Sequence, residues 1–229
     1  MPNAFFSHQV PGLLIKNKFP KWIDGTAICI AAMVPDFNVF IDLFSSFRFR
    51  NLTHSLLGLV IWGFPITIIL TLIFANYIST KIARISEKQG FVFKILRYLG
   101  FDEFKFIQKK KVTLKFILIV FYSSLIGGFT HLVLDLPAHG NIEMLFPLVI
   151  PNAPFLLTPL AEFNLITFGP LKFGGILHVY EVVWSVEDTF LFISSLFILR
   201  YMKTNQSIKK WNEVSQLSRN ASFKVNFIQ

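Results

Sequence analysis

The chain has a single cysteine, Cys29, among 229 residues, which excludes an internal disulfide and any metal centre built from thiolates. Cys29 itself reads as a small buried apolar side chain. Charge is scarce too: 15% of the residues are charged, against 53% hydrophobic and 16% aromatic, with 28 phenylalanines and a mean hydropathy of +0.57. A water-soluble domain of this length has no interior large enough for so many rings, so the composition is that of a membrane protein folded as one unit. Acids are the scarcer charge, 13 against 22 Lys and Arg. In a polar protein that surplus would point to nucleic acid. Here the cations lie in two blocks beside apolar runs, as charges that orient membrane spans do, and nucleic acid is not an expected partner. No internal repeat or low-complexity tract occurs. The opening "MPNAFFSHQVPGLLIKNKFP" puts prolines and a histidine where the apolar core of a signal peptide would lie.

Uncharged apolar sequence is what the chain has in quantity. No formally charged residue occurs from Asn51 to Thr80, and a span is expected over 52–75, kinked at Pro65. A second is expected over 112–134, where Ser123, Ser124, Gly127 and Gly128 would let another helix approach closely. A third is expected over 175–199. The first apolar region, 22–47, is interrupted by Pro35 and reads as two short helices, 22–33 and 36–47, forming either a broken span or a re-entrant hairpin. Segment 139–175 carries Pro147, Pro151, Pro154, Pro159 and Pro170 and cannot be one helix. It is expected to fold over the outer ends of the spans as an irregular lid or interfacial platform. The expected fold is all-α: a polytopic membrane helix bundle over 1–229, with a broken N-terminal helix and an irregular Pro-rich outer segment.

Charge asymmetry orients this bundle. Residues 76–111 hold nine Lys/Arg and three acids, and residues 200–229 hold six and one. Residues 112–199 hold two lysines against six acids. The excess of cations places loop 76–111 and the tail 200–229 in the cytoplasm. The mouth of the second apolar region and the end of the 112–134 span then share the opposite face.

That face collects the residues that carry chemistry. In "GGFTHLVLDLPAHG", His131 and Asp135 are four apart and share a helix face, while Pro137 ends the helix and puts His139 on the following turn. His8, Asp36 after its proline and His54 supply the same donor types at other element ends. Histidine is the commonest metal ligand and a carboxylate its usual companion. An ionisable residue at membrane depth is by default functional. The fifth histidine, His178, shares one helical face with Glu181, Ser185 and Asp188, within about 80° at roughly 100° per residue. Glu187 points away from it. This stripe either completes the site or forms a hydrogen-bonded seam between helices.

Taken together, "SHQVPGLL", "AAMVPDFNVF", "NLTHSLLGLVIWGFP" and "GGFTHLVLDLPAHG" resemble a bacterial family of uncharacterised integral membrane proteins, a domain of unknown function. That family is similar to the predicted membrane-bound metal-dependent hydrolases of the inner membrane. The resemblance covers about residues 1–75 and 112–150. More distantly, the order His8, Asp36, His54, His131, Asp135 is similar to that of the zinc-dependent phospholipase C and nuclease group. The resemblance implies that these residues bind zinc and activate water. The chain lacks the secreted, mature N-terminus of that group, and "HVYE" is one residue short of its second helical pair. A one- or two-metal site is therefore implied rather than a three-metal cluster.

Two functional readings follow. The first is a membrane-bound hydrolase of a lipid-linked phosphoester, multi-pass in the bacterial inner membrane, with membrane lipid as partner. Its cofactor would be a divalent metal, zinc, held by His8, Asp36, His54, His131 and Asp135, with Asp36 and Asp135 as catalytic carboxylates. The second is a non-enzymatic carrier or scaffold whose His/Asp cluster holds a metal or protons structurally. A carrier should show paired broken helices, and only the break at Pro35 is evident. The charge asymmetry makes a test: a C-terminal reporter active only outside the cytoplasm is expected to stay silent, and a signal from it reverses the orientation.

Overall fold

The computed structural model describes residues 4–42, 49–168 and 171–211. The chain opens with two short helices, α1 (Ala4–Ser7) and α2 (Gln9–Lys18). Pro11 lies in the first turn of α2, where a missing N–H costs no intrahelical bond. The chain reverses through 19–24, and Asp24 starts α3 (Gly25–Ala31) by accepting a hydrogen bond from the Ala27 N–H at 2.9 Å. A 3₁₀ turn (Val34–Phe37) containing Pro35 follows, then α4 (Asn38–Asp42). Gly25–Ala31 and Val34–Asp42 meet at 50°, so the expected break at Pro35 is present. Residues 43–47 of that expected region lie outside the described residues, as do residues 212–229 of the basic tail.

After α5 (Arg50–Thr53) comes α6 (Leu56–Ser86), then α7 (Phe91–Leu99) and α8 (Leu114–Asp135). The hairpins β1–β2 (Asn141–Ile142 with Ile150–Pro151) and β3–β4 (Pro159–Phe168 with Leu171–His178) lead to α9 (Val179–Thr204). The helices α6, α8 and α9 are long and apolar enough to cross a membrane, and the bent N-terminal pair would make a fourth if counted as one span. The protein is thus mostly helical, with strands confined to these two hairpins among the described residues.

Several boundaries differ from the sequence reading. The span expected at 52–75 begins at Leu56, because Ser55 is extended and its hydroxyl accepts from the Gly58 N–H at 2.9 Å. It runs on to Ser86 and takes in Lys81 and Arg84, whose long aliphatic stems tolerate an apolar surround. Pro65 does not break the helix; it follows directly on a π-helical turn (Leu59–Gly63), whose extra width makes room for its ring. The outer Pro-rich segment is not irregular throughout, since β3 and β4 pair antiparallel over most of 159–178. This hairpin takes residues 175–178 from the span expected at 175–199, which therefore starts at Val179.

Packing is closest where α3 lies along α8. Asp24 N–H donates to Ser123 Oγ, the Ile28 carbonyl faces Gly127, and the Ala32 carbonyl meets His131. Each contact pairs residues 99 apart, so the two helices run parallel and in step. On α8 glycine is required at Gly127, where a Cβ would stand 2.5 Å from Ile28 O, while a Cβ on Gly128 would stand 2.4 Å from Leu59 Cδ2 and force that side chain to move. These small residues let α3 and α6 reach α8. At the far end Asp24 pairs with Lys110, and Lys16 Nζ donates to the carbonyls of Pro20 and Ile23 at 2.6 Å each. Cys29 packs against the apolar cluster of Leu13, Met202 and Ile208. Replacing Gly127 by Ala is expected to cost about 1–3 kcal/mol by overpacking. Gly63→Ala, whose new methyl meets nothing closer than 3.6 Å, is expected to cost nothing. Unfolding midpoints in detergent compare the two.

Candidate metal centre

Four chain segments end at one point. His8 lies in the turn between α1 and α2, and Asp36 lies in the 3₁₀ turn that Pro35 imposes. His54 closes α5, directly before the Ser55 cap of α6. His131 and Asp135 come from the last turn of α8, and His139 from the turn after it. His131 is wholly buried, and His8, His54 and Asp135 are buried as well.

Asp135 is the hub. Its Oδ2 lies 3.3 Å from His131 Nε2, 3.4 Å from His54 Nε2 and 3.5 Å from His139 Nε2. Its Oδ1 lies 3.6 Å from His8 Nε2. Asp36 Oδ1 stands 3.4 Å from His54 Nε2 and 3.8 Å from His131 Nε2. The His8 and His54 rings stand edge-on to His131, with centroids 4.3 and 5.4 Å away.

Neighbouring groups decide which atoms of the imidazoles face this point. His131 Nδ1 lies 2.8 Å from the Ala32 carbonyl, which can only accept, so in the neutral ring the proton is on Nδ1 and the lone pair on Nε2. Thr53 Oγ1 lies 3.2 Å from the Arg50 carbonyl and 3.1 Å from His54 Nδ1; with the hydroxyl proton given to the carbonyl, the hydroxyl oxygen accepts from His54 Nδ1. His54 therefore also turns an Nε2 lone pair inward. Two nitrogen lone pairs thus face two carboxylates, acceptor against acceptor. Nε2 of His54 and of His131 and Oδ2 of Asp135 are buried with no hydrogen-bond partner.

Charged hydrogen bonds between imidazolium and carboxylate would draw these atoms to about 2.7–2.9 Å. The observed separations of 3.3–3.8 Å are too long for that. They match the ligand–ligand edge of a tetrahedral zinc centre, about 3.3 Å for bonds of about 2.0–2.1 Å. The two groups His8, His131, Asp135 and Asp36, His54, His131 each present donor atoms within 4.8 Å of one another. The donor set therefore fits a divalent cation such as zinc, with Asp135 offering its second oxygen toward His8.

His8 reaches this point because α2 runs away from the site and α3 returns beside it, so a helical hairpin in the first 31 residues, and not the break at Pro35, carries His8 and Asp36 to the same end. The stripe on α9 divides. His178 and Glu181 form a capping box at the helix start, with His178 N–H donating to Glu181 Oε2 at 2.8 Å, and their contacts are with each other and with Tyr180. Asp188 is buried and acts electrostatically on His8. Glu187 is half-buried and feels the charges of Asp135 and Asp188.

Sequence reasoning missed the groups that hold this end in place. Asn152 Nδ2 donates to the carbonyls of Leu136 and His139, fixing the turn after α8. Leu56 N–H donates to the Met144 carbonyl at 2.9 Å, tying the outer segment to the His54 turn. Arg50 and Glu143, 3.3 Å apart, line an open cleft beside His54, Asp135 and His139. A charged residue at the mouth of an uncharged run was the available signal for Arg50. Gly58 is also required here, because a Cβ at that position would overlap the Leu52 carbonyl at 1.8 Å.

A family described as a domain of unknown function (DUF4184) matches residues 1–212. The chain belongs to that family. The match extends well past the motifs that first suggested a resemblance, and takes in the outer hairpins and α9 with His178, Glu181 and Asp188. No curated protein and no solved structure matches the chain.

Burial holds the His8 imidazole down to about 4, helped by His131 and opposed by Asp135, Asp36 and Asp188. Burial lowers His54 as well, with Asp36 opposing and Arg50 adding. A histidine whose folded pKa lies below its unfolded value of about 6.5 stays neutral in the fold while the unfolded chain takes a proton. The stability it contributes is present above about pH 6.5 and is lost as the pH falls toward 4. The metal-stripped protein is therefore expected to lose thermal stability over that interval. His8→Gln should flatten the decline, and an unchanged slope would show that His8 does not titrate there.

Proposed function

We propose that this protein is a polytopic, membrane-bound, metal-dependent hydrolase of phosphoesters carried on lipids, with zinc as the metal, in the inner (plasma) membrane with its C-terminus in the cytoplasm. The observation that carries the reading is the convergence of four acceptor atoms, from His54, His131, Asp36 and Asp135, at spacings of 3.3–3.8 Å. Acceptors gathered this closely without protons between them need a cation. A dication bound there polarises a phosphoryl or acyl oxygen and lowers the pKa of water.

The chain's own groups divide the work. His54 and His131 hold their lone pairs inward through Thr53 and Ala32, the outer-shell arrangement that fixes ligand orientation in metal sites. Asp135 contacts four histidines and is the central ligand. Asp36 is the more exposed carboxylate, its side chain 21% accessible against 10% for Asp135, and is the group placed to take a proton from water. His139, on the open side of Asp135, faces the same cleft.

A lipid-borne substrate is supported by the surroundings. The outer segment over the cleft exposes Leu145, Leu148, Val149, Ile150 and Phe155, a run of apolar side chains suited to a membrane surface. Elemental analysis of the detergent-purified protein tests the reading. The parent is expected to retain zinc, while His131→Ala and Asp135→Asn bind it roughly 100-fold or more weakly and lose phosphoesterase activity, since a removed ligand should cost at least as much as a removed outer-shell partner. Asp135→Asn keeps the side chain's size, so it should still fold. Retention of stoichiometric zinc by that variant would remove Asp135 from the centre.

A further inference from the structure

We infer that Arg50 is the receptor for the phosphoryl anion of the substrate, held in reserve by Glu143. The inference rests on the hydrolase reading and deepens it by naming the group that recognises the substrate.

Arg50 stands four residues before His54, at the start of α5. It lines the same cleft as His54, Asp135 and His139 and acts electrostatically on His54. A fixed cation at this place is unfavourable for a metal centre, because it repels both the ion and any protonated imidazole. The arrangement makes sense where an anion binds between the two. A phosphoryl group approaching the acceptor cluster would have the cation site on one side and the guanidinium on the other.

The pairing with Glu143 is incomplete. Arg50 Nε approaches Glu143 Oε2 at 3.3 Å, yet that oxygen is buried and has no hydrogen-bond partner. Among the described residues, neither amino group of the Arg50 guanidinium donates a hydrogen bond. A guanidinium presents five N–H donors in a planar fork that matches two phosphoryl oxygens, and no acceptor among the described residues takes up the outer pair of this one. Glu143 neutralises the cation while the cleft is empty and competes with the anion for it. The carboxylate sits just past β1, in the segment whose apolar residues Leu145 and Leu148 are exposed. Arrival of a phosphoryl group therefore exchanges one anionic partner of Arg50 for another.

Calorimetric titration of the full chain in detergent, metal-free and zinc-loaded, with inorganic phosphate and with short-chain phosphatidic acid, tests the assignment. Arg50→Gln is expected to weaken phosphate binding at least tenfold without changing the zinc content. Glu143→Gln is expected to tighten it several-fold, which a purely structural ion pair would not do. Tighter binding of phosphatidic acid than of phosphate assigns the anion to a lipid headgroup, and equal binding assigns it to a soluble phosphate. An Arg50→Gln variant that binds phosphate as the parent does overturns the inference, and so does a Glu143→Gln variant that binds it more weakly. Zinc content in the same samples separates the two readings. A parent that holds no zinc sinks the hydrolase reading, while the metal-free titration still decides the role of Arg50.

Discussion

Acceptors do not gather unaided. Around Asp135, lone pairs from His54 and His131 and oxygens of two carboxylates lie 3.3–3.8 Å apart, and the protons that might separate them are engaged on the far sides of the rings. A carboxylate at membrane depth already costs about 2.5–3.5 kcal/mol on insertion scales, and surrounding it with nitrogen lone pairs gives it nothing to bind. The surrounding helices place each group, and the cation we propose for this centre would be the charge that balances it. The rest of the architecture can be understood as the means of keeping these atoms at that spacing.

Those means are mainly small residues. α3 runs in step with α8 because Ser123 and Gly127 leave room for the Asp24 and Ile28 backbone, and the same step delivers the Ala32 carbonyl to His131. Gly128 admits Leu59 and so brings α6 alongside, while Gly58 lets the turn bearing His54 close on itself. The ion pair of Asp24 with Lys110 and the Lys16 bonds to Pro20 and Ile23 anchor the opposite end of the hairpin. Polar groups are thus grouped at the two ends of a small-residue seam, and one end is the candidate centre.

How much of this was legible follows from the range of each interaction. The His131–Asp135 pair was readable because four-residue spacing is local to one helix, and Asp36 because Pro35 announces the turn that exposes it. The apolar spans announced themselves by composition, although Ser55 and the capping box at His178 moved their starts by a few residues. The return of His8 through α2 and α3 was not readable, since Pro11 looks like a break and is tolerated only because it sits in a first helical turn. The β3–β4 pairing was hidden for another reason: its apolar residues merge with the span that follows. Arg50, Glu143 and Asn152 depend on the outer segment folding back over the His54 turn, a contact between residues about 90 apart that no local pattern encodes.

The single hydrogen bond from Leu56 N–H to the Met144 carbonyl gives this fold a mechanical property. It couples the outer cover to the first residue of α6, two positions from His54. The cover cannot swing outward without either breaking that bond or drawing the imidazole with it. Asn152 ties the other side of the cover to the His139 turn in the same way. Cover and centre therefore behave as a linkage rather than as a lid over an independent cavity. Under the function proposed above, a group too bulky to pass beneath the cover would displace His54 and His139, so the same bonds that hold the centre together would also select by size.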